Sequence, residues 1–273
     1  MTSIGTGYDL SNSVFSPDGR NFQVEYATKA VENGGTSIGL RCKDGVVLAV
    51  EKLIQSKLLV PGSNKRIATV DRHVGIAASG LIPDARHFTS RARNEASSWR
   101  KQYHGAIPVS SLADRMGQYT QAYTLYSSVR PFGVTCIIGG VDEEAGPSLW
   151  MVEPSGVGWG YFGAATGRGR QAAKAELEKL DLPNLTVEEG VKHAARIIHI
   201  AHGDNAGKDK DFELEMTWVR VDKANVVEVT ESGVVKGHGR HEEVPKELVE
   251  EAEREAKKAL EVEDEEDEKM EES

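Results

Sequence analysis

The amino-acid order predicts an α+β fold, a four-layer αββα sandwich in which two sheets lie face to face and pairs of helices cover the outer sides. Two observations carry this. Apolar periodicity runs in blocks: strands, two helices, strands, two helices, a strand and a last helix. That order is not the β-α-β-α alternation of a doubly wound parallel sheet. No Gly/Pro/Ser-rich linker interrupts residues 36–221, so the blocks belong to one domain.

In chain order, Tyr8 to Glu32 mixes turn residues, Phe15-Ser16-Pro17-Asp18-Gly19-Arg20, with a short helical pattern that puts Phe22, Tyr26 and Ala30 on one face. That face precedes any core strand and needs the body or a neighbouring chain to pack on. Thr36, Ile38, Leu40 and Cys42 alternate, and Val46 to Val50 is a dense apolar run, which predicts two strands with a tight turn at Asp44-Gly45. Arg66 to Val70 and His73 to Ser79 make a second pair across Asp71-Arg72. From Pro83 the period lengthens, and Ala85, Phe88, Ala92, Ala96, Trp99 and Tyr103 form the stripe of a helix. Ser111 and Asp114 resemble the cap of a second helix, whose stripe of Leu112, Met116, Tyr119, Tyr123 and Tyr126 lasts until Arg130-Pro131. Strands resume at Gly133 to Val141, Leu149 to Glu153 and Val157 to Ala165. Helices follow at Arg168 to Leu180 and Val187 to His202, the latter opened by a capping box of Thr186 and Glu189. A strand at Phe212 to Val221, a polar stretch and a helix from Lys246 to about Leu260 complete the body.

The chain has 43 acidic and 33 basic side chains, a net charge of −10. Residues 261–273 hold nine acids and one lysine, so −8 lies there and only −2 on the first 260 residues. Such a run lacks the apolar surface to offset the entropy of ordering it and is expected to be disordered. The expected organisation is residues 1–35 as an N-terminal segment and helix, 36–260 as the sandwich, and 261–273 as a disordered acidic tail. Acidity argues against nucleic acid and anionic membranes as partners. The longest apolar run, Val46 to Val50, is about a quarter of the roughly 20 residues that span a bilayer. No cationic-then-apolar leader precedes Gly5, so the protein is expected to stay where it is made. Cys42 and Cys136, far apart in apolar surroundings, predict two reduced, buried thiols.

Several strings match functional motifs without their context. Gly158-Trp159-Gly160-Tyr161-Phe162-Gly163 fits a dinucleotide fingerprint but alternates like a strand, and no helix opens at its glycines. Gly35-Thr36-Ser37-Ile38-Gly39 fits a hydrolase elbow, yet a strand rather than a helix follows. His193, His199 and His202 share a helix without the glutamate of a zinc motif. Gly167-Arg168-Gly169-Arg170 offers an anion seat at a helix N-terminus, although such glycines more often serve a turn. No cofactor and no metal is expected.

Tyr8-Asp9-Leu10, followed by Phe15-Ser16-Pro17-Asp18-Gly19-Arg20-Asn21-Phe22-Gln23-Val24-Glu25-Tyr26-Ala27, resembles the signature of proteasome α-type subunits. The likeness continues through Gly80 to Arg86, Tyr123 to Gly133 and Glu153 to Gly156, and covers roughly residues 3 to 260. Gly5 to Ser11, Phe212 to Glu215 and the acidic tail look most like the alpha type-3 branch. The resemblance implies the N-terminal-nucleophile hydrolase fold, two stacked antiparallel sheets between helix layers, with an N-terminal helix and a gate extension.

It also implies a chain that cleaves nothing by itself. The β-type relatives use a threonine freed at the chain N-terminus, whose hydroxyl attacks the peptide while its amine and a nearby lysine manage the proton. Aligned through Gly39, Gly35 stands at that threonine's place, and more than thirty residues precede it. Glu51 and Arg66 stand near the β-type acid and lysine. By the same resemblance, seven different α subunits form each outer ring of the 20S core, with their tails meeting over the axial pore. Tyr8, Asp9, Pro17 and Tyr26 match the residues that hold those tails open or closed. Arg66, with Lys65 beside it, occupies the place where a lysine receives an activator's C-terminal carboxylate. The implied partners are other α subunits in a heteroheptameric ring, β-ring subunits and activators, in ubiquitin-dependent and ubiquitin-independent protein degradation in cytoplasm and nucleus. Two rival classes are a self-processing amidohydrolase of the same fold and an acidic-tail chaperone or histone-binding module.

Overall fold

The computed structural model describes residues 7–54, 56–206 and 211–271. It begins with helix α1 (Phe22–Glu32), then strands β1 (Ser37–Arg41), β2 (Gly45–Leu53), β3 (Ile67–Asp71) and β4 (Val74–Gly80). Helices α2 (Ile82–Tyr103) and α3 (Val109–Ala122) lead to β5 (Val134–Asp142), β6 (Gly146–Val152), β7 (Gly158–Gly160) and β8 (Gly163–Thr166). Helices α4 (Arg170–Glu178) and α5 (Val187–Ala206) precede β9 (Phe212–Val229), β10 (Val235–Glu243) and α6 (Lys246–Glu271). The strands form two antiparallel sheets in the orders β10-β9-β2-β1-β8 and β3-β4-β5-β6-β7.

Strand period explains how one dense apolar run serves two layers. Along β2, Val46, Leu48 and Val50 point between the sheets toward Ile137 and Leu149, whereas Val47 and Ala49 face the helices above. Helices α4 to α6 cover the first sheet through Val191, Ile198 and Ala252. Helices α2 and α3 cover the second through Phe88, Leu112 and Met116 against Ile76 and Ile138. The result is the expected four layers. Cys42 and Cys136 are free and buried, and burial pushes the Cys42 thiol up to about 12. Among the described residues no helix is long and apolar enough to cross a membrane.

The structure departs from the sequence reading in four places. Val157 to Ala165 is two strands in different sheets: β7 pairs with β6 and β8 with β1, so the chain crosses the sandwich at Tyr161 and Phe162. Helix α3 stops at Ala122 rather than running to Tyr126, because Thr124 Oγ1 donates to Gln121 O at 2.7 Å and the amide N–H groups of residues 123 to 125 bond three residues back. It also begins earlier, capped by the carboxylate of Asp142, which accepts from Val109 N–H at 3.0 Å, instead of by Ser111. The polar stretch before Lys246 holds β10, whose Lys236-Gly237-His238-Gly239-Arg240 lacks any apolar alternation. Finally, α6 continues through the segment expected to be a disordered tail, as far as Glu271. Glutamate is a strong helix former, and a helix already anchored by buried Ala252 and Ala256 extends without a new nucleation cost.

Candidate functional site

Three regions hold the residues singled out from the sequence. The first is the N-terminal segment. Pro17 occupies the second position of a turn closed by Gly19 N–H to Ser16 O at 2.9 Å, with Gly19 at φ +79. Ser16 N–H returns to Arg20 O at 3.0 Å, which makes the turn a closed hairpin. Asn21 then caps α1, and burial of Phe22 and Val31 fixes the helix at the end of the second sheet; each side chain contributes about 1.5–3 kcal/mol. From that platform the Tyr26 hydroxyl donates to Asp9 Oδ2 at 3.2 Å. Desolvation and the Asp9 carboxylate both raise the Tyr26 phenol, so it remains the donor. Tyr8, next in the chain, is 42% exposed. The structure thus brings Asp9 and Tyr26 together, with Pro17 shaping the turn between them. Gly5 and Thr6 of the matching opening lie outside the described residues.

One residue the sequence reading passed over anchors this segment. Asn12 is buried, its Nδ2 donates to Tyr123 O at 2.7 Å and Val129 O at 2.9 Å, and its main-chain carbonyl accepts from Asn21 Nδ2 at 2.7 Å. Between Ser11 and Ser13 it reads as an ordinary loop residue. Nearby, Asp84 grips Arg130 through two bonds of 2.6 and 2.8 Å and accepts from Gly133 N–H at 2.9 Å. Burial alone would raise the Asp84 carboxyl, but these bonds outweigh it and hold the group below its ordinary range.

The second region surrounds Gly35. A Cβ built there would lie 2.3 Å from Glu51 O, and Ser79 Oγ donates to Gly35 O at 2.8 Å. Glu51 spends one oxygen on Thr36 N–H, at 3.0 Å, and the other on His202 Nδ1, at 2.5 Å. Arg66 does not join this cluster; its Nε donates to Asn64 Oδ1 at 3.1 Å. The weaker motifs resolve here too. Ser37 donates to Ala78 O from within β1, Gly169 N–H is taken by Thr36 Oγ1 at 3.1 Å, and Gly158 and Gly160 lie in β7 while Gly163 opens β8. His199 faces Glu253 at 3.6 Å.

The third is a cavity of about 640 Å³ between β3 and α2, with Lys65 and Arg66 at its wall. Lys65 is paired with Glu243, and burial lowers the Arg66 guanidinium from its usual value. His241, unnoticed in the sequence, bonds Thr69 Oγ1 at 2.8 Å and Thr217 Oγ1 at 2.9 Å, tying the two sheets together. Its ring occupies the space a side chain at Gly75 would need, and burial lowers its pKa to about 4.

Residues 31–217 match the family described as "Proteasome subunit", and residues 8–30 match the N-terminal signature of that family's A-type members. The chain is 65% identical to the probable proteasome alpha type-7 subunit of Saccharomyces cerevisiae, over 82% of this chain and 78% of that protein. It is 55% identical to the proteasome alpha type-3 subunit of Acanthamoeba castellanii, over 96% and 97% of the two chains. With the alpha type-3 subunit of Arabidopsis thaliana the identity is 50% over 96% and 98%.

Proposed function

The chain belongs to the proteasome subunit family, in its α-type branch, as a structural subunit of the outer ring of the 20S core, and from that premise we propose that it cleaves no peptide bond, contributes to the pore gate and offers a docking pocket. The observation that carries the non-catalytic reading is the enclosure of Gly35. Where a β-type subunit presents a terminal threonine, this chain has no hydroxyl, no free amine and no room: the Cβ position is 2.3 Å from Glu51 O, and the chain continues back into α1. Glu51, near the place of the β-type acid, is used to hold Thr36 and His202. The alternative of a self-processing amidohydrolase needs a nucleophile that this position lacks.

The gate reading rests on the Asp9 to Tyr26 bond, which fixes the root of residues 7–10 to a helix anchored by buried Phe22 and Val31 while Leu10 stays 90% exposed. Tails held by weak, exposed bonds of this kind can switch as a ring between two arrangements. The pocket reading rests on Arg66, a half-buried cation at a cavity wall, suited to a carboxylate. The partners are other α subunits in a heteroheptameric ring, β-ring subunits and activators, and the setting is cytoplasm and nucleus. Two measurements test the proposal. Native mass spectrometry of the chain purified from its own cells should find it in a multi-subunit complex, and the purified, unmixed chain should leave a fluorogenic peptide intact. A persistent monomer, or turnover by the lone chain, overturns it.

A further inference from the structure

We propose that the Arg66 cavity selects an acidic peptide terminus, with the main-chain carboxylate at Arg66 and two carboxylate side chains, a few residues upstream, at Arg86 and Arg93. The inference rests on the reading of this cavity as a docking pocket and adds what the pocket recognises.

Acids and cations inside this single concavity are unevenly matched. Three acids line it, and each is already occupied by the chain itself. Glu215 accepts from the N–H groups of Arg66 and Ile67 at 2.8 and 3.2 Å and faces Lys52 Nζ at 3.6 Å. Glu243 is paired with Lys65, and Glu242 with Arg240 at 2.9 Å. The arginines of the cavity are left over. Among the described residues no carboxylate lies within ion-pair distance of Arg66, Arg86 or Arg93. Arg66 and Arg93 commit only Nε to the chain, on Asn64 Oδ1 at 3.1 Å and Thr69 O at 2.9 Å, so the Nη groups of both remain for an incoming oxyanion. A guanidinium in that state can take a carboxylate through two parallel bonds.

Placement sets the shape of the ligand. Ile82, Arg86, Thr89 and Arg93 lie at helical spacing on the face of α2 that walls the cavity, opposite Arg66 on the strand side. Arg86 and Arg93 are two helical turns apart, roughly 10 Å along the axis. An extended peptide covers that length in about three residues. One terminal carboxylate cannot meet Arg66 and both arginines of α2, whereas a terminus with two acids a few residues upstream can.

The test uses assembled core particles carrying this chain and two fluorescein-labelled octapeptides with free C-terminal carboxylates. One has glutamate at the third and fifth positions from its end; the other has glutamine at both. The glutamate peptide should bind the unaltered particle about tenfold more tightly, as charged hydrogen bonds of this kind provide. Arg86→Gln with Arg93→Gln should remove that preference and leave the glutamine peptide's affinity unchanged, whereas Arg86→Lys with Arg93→Lys should keep part of it. Both arginines are exposed, so the variants are expected to fold and assemble. Equal binding of the two peptides, or a preference that survives the glutamine variants, overturns the proposal. Failure of the underlying pocket reading looks different: amidating the C-terminus of the glutamine peptide, or Arg66→Gln, would then leave its binding unchanged.

Discussion

The side-chain amide of Asn12 donates to the main-chain oxygen of Tyr123 at 2.7 Å, joining the N-terminal segment to the loop that follows α3 across 111 residues of sequence. Its second hydrogen holds Val129 O at 2.9 Å, so one buried side chain clamps both ends of that loop. Asn12→Ala removes the donor of two part-buried hydrogen bonds and should cost about 1–3 kcal/mol. Asn12→Asp should be worse, since it sets a carboxylate against two carbonyl oxygens. Hydrogen exchange on particles carrying either variant should show faster exchange of the amides of residues 124–130; unchanged exchange there would show that the clamp does not hold the loop.

Gly35 is closed to any side chain. Gly35→Ala places a methyl group 2.3 Å from Glu51 O and must shift the start of β1, an overpacking that costs about 1–3 kcal/mol. Gly35→Thr should be at least as destabilising and should still yield no peptidase. A lower melting temperature with no turnover is the expected pair of results, and hydrolysis by the threonine variant would contradict the account of this position.

His241 makes stability depend on pH. Its pKa falls from 6.5 to about 4 because burial disfavours the charged ring. Between those values the unfolded chain binds a proton that the folded chain refuses, so stability is fully present above 6.5 and declines as pH drops toward 4. The slope approaches about 1.4 kcal/mol per pH unit from this group. His241→Gln should flatten the denaturation profile over that window. A variant whose stability falls as steeply as the parent would place the titration elsewhere.

The layers were legible because period alone separates strands from helices, and the apolar stripes of α2 and α5 and the dense run in β2 carry strong periods. What escaped were features made by distant partners. Asp142 caps α3 from the far end of β5, and nothing near Val109 signals it. β10 is half polar because it is a sheet edge, and its register is set by β9 rather than by its own alternation. The family signature brought Asp9 and Tyr26 into view, but Asn12 and His241 act through bonds to residues more than a hundred positions away, Tyr123 and Thr69, which no local pattern encodes.

The acidic end of α6 yields the last prediction. From Glu261 on, the helix carries a run of like charges at its C-terminal end, where the macrodipole is negative, so both terms oppose helical order. Anchoring at Ala252 and Ala256 and the helix propensity of glutamate act in the other direction. The opposing terms are electrostatic, so salt weakens them: the screening length falls from about 30 Å at 0.01 M to about 3 Å at 1 M. Raising the salt over that range should slow amide exchange in residues 262–271 severalfold while leaving 248–256 unchanged. Replacing the acids of residues 263–268 with glutamine should slow exchange already at low salt and remove the salt dependence. If exchange at low salt is as slow as at high salt, charge repulsion is not what limits this end of the helix.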